Sequence, residues 1–125
     1  MYTLSVTSSL IAHHYLKSST WGIENEQHSH HYQIEVSLEG HTLDENGCLV
    51  DVVYLEAQLE AILRRYRDRL LNDLPEFAEI NPTPENFAHI LCQALASHIQ
   101  LPRIQAISVK VWVDHHVCAS YRTTA

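Results

Sequence analysis

The chain predicts an α+β fold, an antiparallel sheet with two helices, and three features of its 125 residues carry that prediction. Both ends alternate apolar and polar residues at period two, the middle switches to a helical period, and turn chemistry separates the two regimes. The composition is 46% hydrophobic and 18% charged with only 3 Gly and 4 Pro, which fits one folded domain over residues 1–125. That length supports a core but not two.

Residues 2–16, "YTLSVTSSLIAHHYL", read as the first strand, with Leu4, Val6, Leu10, Ala12, His14 and Leu16 on one face. "KSSTWGIENEQ" is a polar loop. In "HSHHYQIEVSLEG", residues 28–40, His28, His30, Tyr32, Ile34, Val36 and Leu38 share the apolar face, while His31 looks toward water. Asn46-Gly47 marks a tight reversal into a short third strand, "CLVDV". Leu55, Leu59, Ile62, Tyr66 and Leu70 then fall at helical spacing, predicting an amphipathic helix over 53–70. After a loop, Thr83 offers an N-cap, Pro84 the first helical position and Glu85 an acid facing the helix dipole. Phe87, Ile90, Leu91, Ala94, Leu95 and His98 make the stripe of a second helix ending before Pro102. "QAISVKVWV" and "VCASYR" close the chain as a hairpin around Asp114-His115-His116. The expected order is β, β, β, α, α, β, β.

Several function classes fall away on charge and composition. A net charge of −7 lacks the basic face that nonspecific nucleic-acid binding or an anionic membrane requires. No apolar run approaches the ~20 residues of a membrane span. Cys48, Cys92 and Cys118 show no paired spacing, and the chain opens on alternating "MYTLSV" rather than a signal peptide, so the expected compartment is the cytoplasm.

Ten histidines are the outlier. Two of them, His28 and His30, stand on the apolar side of one strand, and such burial is costly without a partner. His14 shares its parity with Leu10 and Ala12, so antiparallel pairing of the first two strands brings it beside them. Three inward imidazoles at one sheet corner form a three-ligand metal geometry that suits zinc and leaves a fourth position open. The plain alternative is hydrogen-bonded core histidines that bind nothing. His13, His31, His41 and His89 read as surface residues, and His98 as packing.

These motifs resemble the 6-pyruvoyl-tetrahydropterin and 6-carboxy-tetrahydropterin synthases. "LIAHHYL" resembles their F-x-x-A-H-x-L start and "HSHHYQIEVSLEG" their H-G-H-N-Y strand. "NGCLVDVVYLEAQL" is similar to their G-M-V-x-D-F-x-x-L-K entry into the first helix, with Asp51 at the acid. "LLND" and "NPTPENFA" resemble L-N-D and P-T-x-E-N-x-A, and "VKVWVDHHVCASYR" has the spacing of the last hairpin. The resemblance implies the tunnelling fold (T-fold), with two helices on one face of an antiparallel sheet and subunits joined into a barrel as trimers or hexamers. It also implies zinc on His14, His28 and His30, and a pterin substrate, dihydroneopterin triphosphate or a relative.

The chain departs from that pattern in its proton-transfer half. Glu24 stands where the family has its catalytic cysteine. The slot at which one branch places a glutamate is Asn25, flanked by Glu24 and Glu26. Arg67-Asp68 replaces the Asp-His pair. The glutamate that anchors the pterin falls on Val113, with Asp114 one residue on and expected on the opposite face unless a bulge re-aims it. The expected enzyme is therefore a lyase-type zinc synthase with Glu24 or Glu26 as proton acceptor, and His115 or His116 as a substitute base. Glu85 or Asp114 would hold the substrate's base edge. The competing expectation is a non-catalytic or repurposed relative that binds zinc and a small heterocycle.

Overall fold

Two long strands fix the frame: β1 (Tyr2–His14) and β2 (His28–Gly40) pair antiparallel along their full lengths, from Tyr2 opposite Gly40 to His14 opposite His28. β3 (Ala106–Val113) continues the sheet beside β2 and β4 (Val117–Thr124) beside β3, giving the order β1-β2-β3-β4. The computed structural model describes residues 1–17, 25–99 and 101–124. Between the second and third strands lie α1 (Val52–Leu63) and α2 (Pro84–His98).

The period-two readings hold. Leu10 and Ala12 of β1 are buried, as are Tyr32, Ile34, Val36 and Leu38 of β2 and Val109 and Val111 of β3. These side chains meet Leu55, Leu59 and Leu63 of α1 and Phe87, Leu91 and Leu95 of α2 in one apolar cluster. Both helices therefore cover one face of the sheet. The other face is polar: Ser5 and Ser37 bond at 2.7 Å, and Arg122 reaches Glu39 at 2.9 Å.

The expected third strand does not form. Leu49 and Val50 are both buried, which a half-buried strand with alternating faces cannot do, and Asp51 is the N-cap of α1, accepting from the Val53 N–H at 3.0 Å. Such a cap is worth about 1 kcal/mol. Gly47 does supply the expected reversal, with φ of 82°. α1 stops at Leu63 rather than 70, because the following residues tighten into turns and Asp68 takes a left-handed φ of 58°. Tyr66 is still buried, and Leu70 lies beside His13 at the outer edge of β1. Two short 3₁₀ turns, Leu71–Asp73 and Pro75–Phe77, occupy the expected loop. In α2 the buried stripe is Phe87, Ala88, Leu91, Cys92 and Leu95; His98 is exposed and bonds the Ala94 carbonyl at 2.8 Å, a helix-end contact instead of the expected packing.

β2 ends where it must on glycine. A Cβ at Gly40 would stand 2.5 Å from the Arg103 carbonyl oxygen.

Candidate metal centre

The paired ends of β1 and β2 set His14 across from His28, with His30 two residues on along the same face. Their ligand atoms all lie within 4.8 Å of one another, a group that could hold a metal ion. His14 Nε2 is 2.9 Å from His28 Nε2, which is 3.1 Å from His30 Nε2. His14 is buried; the other two are half-buried.

What decides the chemistry is the far side of each ring. His14 Nδ1 donates to the Pro82 carbonyl at 2.9 Å, and His28 Nδ1 donates to the Glu26 carbonyl at 2.7 Å. His30 Nδ1 donates to Asp114 Oδ2 at 2.5 Å. A neutral imidazole that donates at Nδ1 presents a lone pair at Nε2. With all three rings neutral, their Nε2 lone pairs face one centre, where a cation would relieve the repulsion among them. A tetrahedral zinc with imidazole bonds of 2.0–2.1 Å would set its nitrogens roughly 3.3 Å apart. The residues fit the ion, with slight expansion.

The retained short motifs hold this corner in place. Asn72 clamps the backbone just after His14, its Oδ1 accepting from the Tyr15 N–H at 3.0 Å and its Nδ2 donating to the Tyr15 carbonyl at 2.9 Å. Asn81 Oδ1 accepts from the Lys17 N–H at 2.8 Å, and Asn86 Nδ2 donates to the Asn81 carbonyl at 2.8 Å. That places Pro82 under His14 and starts α2, where the Thr83 hydroxyl accepts from the Asn86 N–H at 3.1 Å. Nothing in the residue pattern marks these motifs as struts; a carbonyl acceptor carries no side-chain signature.

Asp114 is re-aimed, though not by a bulge. It takes φ of 49° and His115 takes 67°, so the hairpin turn between β3 and β4 has two left-handed residues. The carboxylate comes round to His30, with Oδ1 accepting from the His31 N–H at 3.1 Å. Desolvation opposes its charge, but the bonds from His30 and His31 outweigh that and hold the carboxyl below its ordinary value.

A cavity of about 350 Å³ opens beside the rings, with His30, Asp114 and His116 among its polar lining and Leu16, Pro84 and Val117 among its apolar lining. His116 reaches it, whereas His115 packs edge-on against His31 with ring centroids 5.4 Å apart. Glu85 is exposed in the first turn of α2, next to Pro84. Glu26 is exposed, and its main chain is what meets His28. Glu24 lies outside the described residues. Where the Asp-His pair is replaced, Arg67 bonds Glu60 and the Ser9 carbonyl, and the Asp68 N–H donates to the Ile11 carbonyl at 2.7 Å.

A four-stranded antiparallel sheet with two helices on one face, of this connectivity, is the tunnelling fold. The family model of 6-pyruvoyl tetrahydropterin synthase matches residues 3–124, and the chain belongs to that family. Among solved structures, the Caenorhabditis elegans 6-pyruvoyl tetrahydropterin synthase is similar at 22% identity, covering 99% of this chain and 95% of its own with a TM-score of 0.80. The Plasmodium vivax synthase is similar at 13% identity over 99% and 98% of the two chains, with a TM-score of 0.84. Two further P. vivax structures carry a glutamate replaced by alanine or by cysteine and describe it as a catalytic residue. An uncharacterized Wolinella succinogenes protein is similar at 16% identity over 98% and 97%, with a TM-score of 0.70. No curated protein matches the chain.

Proposed function

We propose that the chain is a zinc-dependent enzyme of the 6-pyruvoyl or 6-carboxy-tetrahydropterin synthase type, acting on dihydroneopterin triphosphate or a related pterin. The observation that carries this reading is the convergence of three Nε2 atoms, from His14, His28 and His30, next to a cavity that His14 and His30 line. His14, His28 and His30 would hold the ion. When bound, zinc supplies a Lewis acid that polarises the substrate's side-chain oxygens and makes the neighbouring C–H acidic.

The chain's own groups would do the rest. The main-chain carbonyls of Pro82 and Glu26 hold the Nδ1 protons of His14 and His28. The proton acceptor falls to the loop before β2, Glu24 or Glu26, in keeping with the glutamate named as catalytic in the P. vivax relative. His116 is the better-placed alternative base because it lines the cavity, whereas His115 packs against His31. Glu85 is the better candidate for the substrate's base edge, since both Asp114 oxygens already accept from the protein. Open edges support a homo-oligomer: among the described residues β4 has no outer neighbour in this sheet, and β1 meets Leu70 only near its end. In keeping with a soluble small-molecule enzyme of the cytoplasm, no helix among the described residues is long and apolar enough to cross a membrane.

Turnover of dihydroneopterin triphosphate by zinc-loaded protein tests the proposal. We expect product, and a loss on the order of 10²–10⁴ in kcat for whichever of Glu24→Ala, Glu26→Ala and His116→Ala removes the acceptor. Absence of product, with all three variants matching the parent, would count against it. A second reading, a repurposed binding protein, draws on Arg67 and Asp114, which are both committed to internal contacts. Calorimetry showing tight pterin binding without consumption would favour that reading.

A further inference from the structure

We infer that Asp114 is a positioning residue that fixes the orientation and tautomer of His30, not a group that touches substrate. This rests on the metal reading of the three histidines. It adds a role for a fourth side chain.

The geometry has three parts. First, His14 and His28 are oriented by main-chain carbonyls, whereas His30 is oriented by a carboxylate, at 2.5 Å. A carboxylate bonded to the distal nitrogen of a ligand imidazole locks the ring and raises its basicity, and losing such a partner costs about 10–100-fold in metal affinity. Second, Asp114 is itself anchored at three points. Its N–H donates to the His31 carbonyl at 3.0 Å, Oδ1 accepts from the His31 N–H at 3.1 Å, and Oδ2 accepts from His30. A group tied this way to β2 has little freedom to move with a substrate.

Third, the turn is built against its own preferences. The His116 N–H bonds the Val113 carbonyl at 3.0 Å, closing a turn whose two central residues are both left-handed. Asn-Gly or Asp-Gly is the usual choice there, because glycine tolerates positive φ. Here the second position is His115, at φ of 67°. Non-glycine residues in that region persist where surrounding contacts over-determine them, as at ligand sites. Asp suits the first position twice, by tolerating the left-handed backbone and by aiming a carboxylate at β2.

The experiment separates the carboxylate from the turn. Asp114→Gly keeps a backbone that accepts positive φ and removes the carboxylate. Asp114→Asn keeps shape and removes charge. His115→Gly relaxes the turn and leaves the carboxylate. Zinc affinity by competition with a chelator, the visible spectrum of the cobalt-loaded protein, and the His30 tautomer by nitrogen NMR of metal-free protein are read for each. We expect a loss of about 10–100-fold in zinc affinity for Asp114→Gly, about 10-fold or less for Asp114→Asn and none for His115→Gly. The cobalt spectrum should shift, and the His30 proton should move from Nδ1 to Nε2, in Asp114→Gly alone. A parent that binds zinc while Asp114→Gly matches it in affinity, spectrum and tautomer overturns the inference and leaves the metal reading intact. A parent that binds no zinc overturns both.

Discussion

Two polar clusters flank Phe87, and they are built on opposite principles. On one side Glu76 closes a complete network. Oε1 and Oε2 accept from Arg65 at 2.7 Å each, and Oε2 also accepts from the Tyr66 hydroxyl at 2.8 Å. Donors and acceptors match, so burial of the Tyr66 ring is compensated, and its hydroxyl is pushed well above its ordinary pKa by that burial and by Glu76. On the other side, three imidazoles have spent their N–H groups outward and point lone pairs at one another. The first cluster is finished by the protein; the second is a group that could hold a metal ion. Phe87 packs on Tyr66 of the first and on Tyr32, which backs the second, with ring centroids 5.3 Å and 5.4 Å away. Tyr32 in turn lies against His14 and His30.

The largest expected effect comes from removing what the clusters share. Phe87→Ala should cost about 3–5 kcal/mol in denaturant unfolding, because a fully buried ring leaves a cavity between three aromatic neighbours. Next is metal-linked stability. Zinc at about 100 times its Kd should add about 2.7 kcal/mol to the parent and nothing to His28→Ala, measured as the shift in the unfolding midpoint. Glu76→Gln should cost about 1 kcal/mol near neutral pH and leave zinc affinity unchanged. Arg65 chiefly holds Glu76 at about 2, below its ordinary 4.5, so its contribution is fully present above 4.5 and fades as pH falls toward 2. The variant should therefore show a flatter acid limb across that window in urea melts. Smallest is Thr83→Ala, about 1 kcal/mol or less from the lost cap, with a slight weakening of zinc binding because Pro82 lies next to it. If Glu76→Gln changed metal affinity as much as His28→Ala, the contrast between the clusters would collapse.

The closed cluster was half-legible in the sequence: Tyr66 was readable as buried, but nothing local assigned it to Glu76. The open one was legible because strand parity is strict. His14, His28 and His30 could be placed on one face by counting in twos, and antiparallel pairing did the rest. Parity failed where the backbone left the extended region. Counting put Asp114 on the opposite face, and two left-handed residues returned it to His30. The phantom strand at 48–52 failed for a related reason, since adjacent Leu49 and Val50 both turn inward ahead of the Asp51 cap. The first helix was overestimated because apolar spacing continues through turns that still bury Tyr66. The supporting carbonyls of Pro82 and Glu26 could not be read at all, because main-chain acceptors are the same for every residue.

X-ray absorption on protein purified without a histidine tag and loaded with one equivalent of zinc tests the centre most directly. We predict a shell with three imidazole nitrogens at about 2.0–2.1 Å and no sulfur, abolished in His14→Ala/His28→Ala/His30→Ala. Sulfur scattering at about 2.3 Å from Cys48 or Cys118, or zinc retained undiminished by the triple variant, would contradict it.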